Sequence, residues 1–296
     1  MSTPPRHRGP DPEAGDEAAE STPAIMIAAF EGWNDAGSAA SAALLHIAEA
    51  WETTEVHRLD PDTFHDFQVS RPMIGRDDLG RRVLTWPSTT VSVATSPRLG
   101  RRVVLVQGVE PSMRWRDFCH QLLDVAEDLG VGTVVCLGAL LADVPHTRPI
   151  PVQTSSDDRR VQALLDVDES DYEGPTGITG VLTHLAADRD LHALTVWAAV
   201  PHYVAQPPSP KATLAILSAL DELLGEPAPV GDLQEEAKAW QDGVDELASD
   251  DPEVAEYVQQ LEEAKDTAEL PEASGEAIAR EFEKYLRRRD PGRGPA

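Results

Sequence analysis

Ala24-Ile25-Met26-Ile27-Ala28-Ala29-Phe30, followed at once by Glu31-Gly32-Trp33-Asn34-Asp35-Ala36-Gly37, decides the fold class. Seven consecutive apolar residues with no polar alternation suit a strand buried on both faces. The glycine-containing turn comes next. Ala39 to Trp51 is then rich in Ala and Leu and reads as a helix. Strand, turn and helix in that order open a βα unit.

Working outward, the same grammar recurs. Strands are expected at Thr53 to Leu59, Arg82 to Trp86, Val91 to Thr95, Arg101 to Gln107, Gly132 to Leu137 and Leu191 to Val200. Arg114 to Leu129 and Lys211 to Leu224 read as helices, the first stopping near Gly130. Strands alternating with helices predict an α/β protein, a three-layer α/β/α sandwich around a mostly parallel sheet. After Gly225-Glu226-Pro227-Ala228-Pro229 the chain becomes strand-free and acidic, with helices expected near Leu233 to Leu247, Pro252 to Leu261 and Ala277 to Arg288. Leu233, Ala237, Trp240 and Val244 recur at helical spacing and give an apolar face. The organisation is therefore read as a disordered tail over residues 1–22, an α/β domain over 23–225, and an acidic helical C-terminal module over 226–296.

Charge narrows the partners. Fifty-two acidic against 25 basic residues give a formal net charge of −27. Such a surface repels phosphate backbones and anionic membranes, so no nucleic acid and no membrane partner are expected. Two cysteines, Cys119 and Cys136, cannot make a disulfide framework in 296 residues. Residues 1–22 lack the apolar run of a signal peptide, and a cytoplasmic setting is expected.

The chemically capable residues fall in turns at expected strand ends, where open α/β sheets bind ligands. Glu31, Asn34 and Asp35 follow the first strand; Asn34 or Asp35 also suits a helix cap. Arg71 lies in an aromatic, acidic loop and could clamp an anion or fix a subunit contact, or simply sit on the surface. Glu110 and Arg114 follow the strand Val103 to Gln107, with Ser112 placed to cap the next helix. Asp143, His146, Thr147 and Arg148 crowd a proline-stiffened segment, either as site residues or as a hydrogen-bonded loop. Gly174, Thr176 and Gly177 precede a helix continuing to Ala187, where free N–H groups could meet an anion or glycine could allow close packing. His202 and Tyr203 follow the last strand. Cys119 and Cys136 read as core fillers. No ligand set has metal-site spacing, and no nucleotide or hydrolase signature appears, so neither metal nor cofactor is expected.

Several of these segments together resemble the PAC2 family, named after a proteasome assembly chaperone, and in particular its bacterial branch of chains about this long. The carriers are Ala29 to Gly37, Asp66-Phe67-Gln68-Val69-Ser70-Arg71-Pro72, Arg114-Trp115-Arg116, Leu137 to Pro149, Tyr172 to Gly177 and Pro201-His202-Tyr203. The resemblance covers roughly residues 24 to 225. It implies a nucleoside-phosphorylase-like core and a homo-oligomer such as a trimer. Eukaryotic members help build the proteasome α-ring through a C-terminal hydrophobic-Tyr-X tail. Residues 292–296 here read Gly-Arg-Gly-Pro-Ala, so docking by that route is not expected. Two functions follow as expectations: a non-catalytic assembly or scaffold protein acting on itself and other proteins, or a small-molecule binder or enzyme using the strand-end cleft. In the second, Arg148, Asn34 and the Gly174 to Gly177 turn would hold an anion while Glu31, Asp143 or His146 moves a proton.

Overall fold

The computed structural model describes residues 22–228 and 230–269. All but the last residue of the expected N-terminal tail, and the helix expected at Ala277 to Arg288, lie outside the described residues. In chain order the elements begin with β1 (Ala24–Glu31), a 3-10 turn (Ala36–Ser38), α1 (Ala39–Ala50), β2 (Thr54–Arg58), α2 (Pro61–Phe64), β3 (Met73–Arg76) and β4 (Arg82–Thr85). β5 (Thr89–Thr95), β6 (Arg102–Val109), α3 (Trp115–Asp128), β7 (Val131–Ala142), β8 (Val152–Ser155), α4 (Arg159–Leu165) and α5 (Ile178–Ala187) follow. The rest is β9 (His192–Pro201), a second 3-10 turn (His202–Val204), α6 (Pro210–Leu224), α7 (Leu233–Asp250) and α8 (Pro252–Glu269).

Seven strands form one sheet in the order β2-β5-β6-β1-β7-β9-β8. The quoted apolar run is its centre. β1 lies between two parallel neighbours, Ile27 opposite Leu105 of β6 and Val135 of β7. β9 adds a fourth parallel strand beside β7. β5 and β8 run against their neighbours, and β2, antiparallel to β5, points the same way as the central four. The sheet is thus mostly parallel with antiparallel margins. β5 and β6 are joined only by residues 96–101, too short for the crossover a parallel pair needs.

Alternation along β1 shows why the strand must be apolar throughout. Ile25, Ile27 and Ala29 pack into one core with α1 and α6; Ala24, Met26, Ala28 and Phe30 pack into a second with α3 and α5. α3 buries Phe118, Cys119 and Leu122, and both cysteines are free thiols inside the core, as expected of core fillers. Phe118 meets Phe30 and Phe64 edge-on, with ring centroids 5.8 and 5.3 Å away.

Three expectations change, and one strand is added to those expected. Arg82 to Trp86 was expected as a strand of the sheet; it forms a separate exposed hairpin, β3 pairing with β4. The apolar residues there read as a strand, and nothing in their spacing distinguishes a sheet margin from a free hairpin. β7 continues past Leu137 to Ala142, because β9 pairs with it through Pro201. β8 goes unannounced in the sequence, being a four-residue edge. Ser112, expected to cap α3, instead donates its backbone N–H to the Phe64 carbonyl, and α3 has no side-chain cap.

α7 lies on α6 and α8 on α7. α7 buries Ala237, Val244 and Ala248, and Leu233 packs on the core beside α6. No described helix is long and apolar enough to cross a membrane.

Candidate functional site

The carboxyl ends of β1, β6, β7 and β9 carry most of the expected polar residues, but the structure gathers them into two groups. The first surrounds the N-terminus of α5. Glu110, the residue after β6, accepts through Oε1 from Asn34 Nδ2 at 2.7 Å and from the Ile178 backbone N–H at 2.9 Å. Asn34 Oδ1 accepts from Thr179 Oγ1 at 3.3 Å, and its carbonyl accepts from the Ala139 amide at 2.8 Å. Gly177 makes this closeness possible: a Cβ there would lie 2.1 Å from Asn34 Oδ1. A half-buried Glu carboxylate therefore takes the role left open for an anion, completing a helix N-terminus that needs an acceptor.

Asp35 is also committed. Its Oδ1 accepts from the Ala40 and Ser41 amides at 2.7 and 3.3 Å, and its Oδ2 from Ser41 Oγ. This is the capping geometry that satisfies the first turn of α1. Burial pushes its carboxyl above the usual range, while the hydrogen bonds from Ser41 and the Ala40 amide pull it back. Glu31 has an exposed side chain and only its carbonyl takes part, accepting from the Glu110 amide at 2.9 Å.

Beside this group opens a cleft of about 1190 Å³. Asn34, Asp35, Gly174, Thr176 and Gly177 line it, together with Trp33, Tyr172, Trp197 and Ser155 to Asp158. Trp197 faces Gly138 across β7 and β9, and its ring would overlap any Cβ at Gly138, which it would meet at 2.5 Å. Tyr172 closes a turn by donating to the Pro175 carbonyl at 2.8 Å.

The second group sits where β7 and β9 end, and it faces α7 and α8 rather than the cleft. His146 is buried, Nδ1 2.7 Å from Tyr203 Oη and Nε2 2.9 Å from Asp245 Oδ1. Lys211 Nζ donates to the His146 carbonyl at 2.5 Å and to Gln241 Oε1 at 2.6 Å. Thr147 Oγ1 bonds Glu262. Arg148 donates through Nε and Nη2 to both oxygens of Asp266 at 2.9 and 2.8 Å, and reaches Glu262 at 3.1 Å. Asp266 and Glu262 push its guanidinium above even the ordinary arginine value. Asp143 pairs with His202 at 3.1 Å and accepts from Tyr257 at 3.2 Å. The rings of His202, Tyr203 and Tyr257 meet edge-on at 5.5 to 6.0 Å. Burial lowers the proton affinity of His146 and Lys211 and pushes the Tyr203 phenol up to about 12.

Arg114 and Arg71 belong to neither group. Arg114 occupies a left-handed position before α3, pairs with Asp117 at 2.8 Å, and has its guanidinium 6.0 Å from the Phe64 ring centre. Arg71 is exposed. No cluster of His, Cys, Asp or Glu arranged for a metal occurs among the described residues. The residues that sequence reading missed are Thr179, Lys211, Asp245, Tyr257, Glu262 and Asp266. Those on α7 and α8 look like a solvated acidic face, and only the unmatched His and Arg of the 146–148 segment hint that some of them are partners.

A family model described as the PAC2 family matches residues 29–248, so the matched stretch ends within α7. The crystal structure of a PAC2 family protein from Streptomyces avermitilis is 51% identical with a TM-score of 0.75, the match covering 79% of this chain and 99% of that one. A Mycobacterium tuberculosis protein described as a proteasome-assembly chaperone homologue is 46% identical, covers the same shares, and has a TM-score of 0.72. At 15% identity and a TM-score of 0.63, Pyrococcus furiosus PbaB, over 78% of this chain and 96% of its own, shares the fold. No curated protein sequence matches the chain.

Proposed function

The chain belongs to the PAC2 family, and from that premise we propose that it is a non-catalytic, chaperone-like assembly or scaffold protein that works as a homo-oligomer and binds other proteins. One observation carries the reading. The two groups best suited to hold an anionic substrate, Arg148 and the N-terminus of α5, already hold carboxylates of this same chain, Asp266 with Glu262 and Glu110. Asp35 and His146, the best-placed acid–base groups, are committed to a helix cap and to the joint with α7. Polar chemistry at the strand ends thus builds a docking joint between the sheet and its helices. The 46% identical M. tuberculosis protein, described as a proteasome-assembly chaperone homologue, makes proteasome subunits the first partners to test.

The test is co-expression of the full chain with proteasome α and β subunits from the same source, followed by native mass spectrometry and a measured rate of particle assembly. A complex with a subassembly, absent from the finished particle, is expected. No complex with any subunit and an unaltered assembly rate would defeat the proteasome form of the proposal.

A second reading rests on the cleft. Trp197, Tyr172 and the Gly174 to Gly177 turn wall a volume suited to a small molecule. Thermal-shift measurements with nucleosides, phosphate and sugar phosphates test it, since a ligand that binds only the native state raises apparent stability. A shift abolished by Trp197→Ala would favour this reading; no shift with any compound removes it.

A further inference from the structure

The β3–β4 hairpin and the segment around it present an unusual surface. Val69, Met73, Ile74, Leu79, Val83 and Leu84 are all exposed, Val69 and Leu79 at 76%. Register puts Ile74 opposite Leu84 on one face and Gly75 opposite Val83 on the other, so both faces carry apolar side chains. Every residue of both strands is exposed. The hairpin is anchored at its base by Phe67 against Trp86, ring centroids 4.7 Å apart, and its tip is closed by Arg81 on Asp77 at 2.7 Å. A two-stranded ribbon with no core beneath it is marginally stable in water. An apolar patch of this extent on a folded protein marks a contact surface.

Its charge identifies the occupant. Residues 71–86 hold four arginines, Arg71, Arg76, Arg81 and Arg82, against Asp77 and Asp78, on a chain whose formal net charge is −27. Two hairpins meeting face to face would bring arginine against arginine, which is destabilising. An acidic surface with an apolar spot is what fits. The outer side of α7 is such a surface: Glu235, Glu236, Asp242 and Glu246 are exposed there against one exposed cation, Lys238, and Leu247 on the same helix is 66% exposed.

We propose that the β3–β4 hairpin of one copy docks on the acidic outer face of α7 of a second copy, making a head-to-tail contact. This rests on the homo-oligomer reading above and supplies its interface. Head-to-tail contacts use two different patches, so they close into rings or continue as filaments. The arginines steer and register the contact, while Ile74, Leu79 and Leu84 lose water on α7.

Sedimentation velocity of the full chain across a concentration series, at low salt and at about 0.5 M salt where charge interactions are short-ranged, is the experiment. The wild type is expected above the monomer mass of 32.1 kDa, dissociating as salt rises. Ile74→Asp with Leu84→Asp should sediment as a monomer, with a melting curve by circular dichroism like that of the wild type. Should that pair perturb folding, Arg82→Glu, a purely surface change, should weaken association about tenfold, and Glu246→Arg in the same chain should restore part of it. An assembly that persists in all hairpin variants overturns the hairpin contact and leaves the homo-oligomer reading standing. A wild type that is monomeric throughout overturns both, including where the hairpin then binds a different protein.

Discussion

Tyr203 Oη lies 2.7 Å from two nitrogens of one residue, the backbone N and Nδ1 of His146. The Asp245 carboxylate on the far side of the ring can only accept, so Nε2 carries the ring hydrogen of the neutral histidine and Nδ1 takes the phenol proton, while the backbone N–H donates to Oη. One neutral tautomer of one buried histidine thus ties the end of β7 to the end of β9 and to α7.

This joint makes stability depend on pH. Burial holds His146 below its ordinary value of 6.5; Asp245 and Glu262 pull it upward and Lys211 pushes it down, with the net shift downward. Tyr203, with its phenol pushed up, stays protonated and continues to donate. The unfolded chain therefore binds a proton on this histidine more readily than the folded one, so stability rises with pH across the interval. The contribution is whole above about pH 6.5 and is lost as pH falls toward the lower folded value. Denaturant midpoints of the wild type should drop between about pH 7.5 and 5.5 by more than those of His146→Gln. Equal drops in the two proteins would rule the joint out as the source.

Arg148 should govern how firmly α8 is held. Its bidentate contact with Asp266 is partly exposed, and exposed ion pairs add little to global stability. Arg148→Ala is expected to leave the unfolding midpoint nearly unchanged while amide hydrogen exchange along α8 becomes markedly faster than along α6. Added salt should move the wild type in the same direction. Protection of α8 that is indifferent to both changes would show that its other contacts, Tyr257 on Asp143 and His202 and the buried Val258, hold the helix without Arg148.

Glu110→Ala should be costly where Glu110→Gln is mild. The carboxylate completes the first turn of α5 and anchors Asn34, so its removal leaves a buried amide and the Ile178 N–H without an acceptor. Such losses cost about 1–3 kcal/mol each. Glutamine retains an acceptor oxygen and should recover much of that. Chemical denaturation of the two variants checks it, and a Gln variant as unstable as Ala would show that charge at the helix terminus dominates over the hydrogen bonds.

The sheet was legible because its strands are buried on both faces. Ala24 to Phe30 and Val103 to Val106 cannot be anything amphipathic, and a continuous apolar run has few other uses. The margins were not. β8 is short, and β4, though read as a strand, gave no sign that it leaves the main sheet for a hairpin with β3. At the strand ends, position was readable and allegiance was not. Asn34 and Gly177 do line one cleft, yet Arg148 and His146 turn to α7 and α8. Which carboxylate an arginine selects depends on how helices more than a hundred residues away pack, and no local spacing encodes that. Cap chemistry was half readable: Asp35 lies near its helix in sequence, whereas Glu110 caps α5 from 68 residues away.

The closest contact in the first group gives the sharpest prediction. Gly177 has φ −92°, a conformation open to any residue, so alanine there carries no backbone strain. On flexibility alone, replacing glycine at such a position stabilises by about 0.4–1 kcal/mol. The added Cβ, however, would stand 2.1 Å from Oδ1, 2.6 Å from Nδ2 and 2.7 Å from Cγ of Asn34. Asn34 cannot swing aside without giving up Glu110 and Thr179. Overpacking of this kind costs about 1–3 kcal/mol, so Gly177→Ala should destabilise. Asn34→Ala removes the obstructing amide and its bonds, and destabilises on its own. The two changes share one cause, so the double variant should be more stable than the sum of the singles by at least about 0.5 kcal/mol. A double-mutant cycle from denaturant unfolding measures that difference, and strict additivity would mean that the α5 N-terminus yields elsewhere and that Asn34 does not hold it in place.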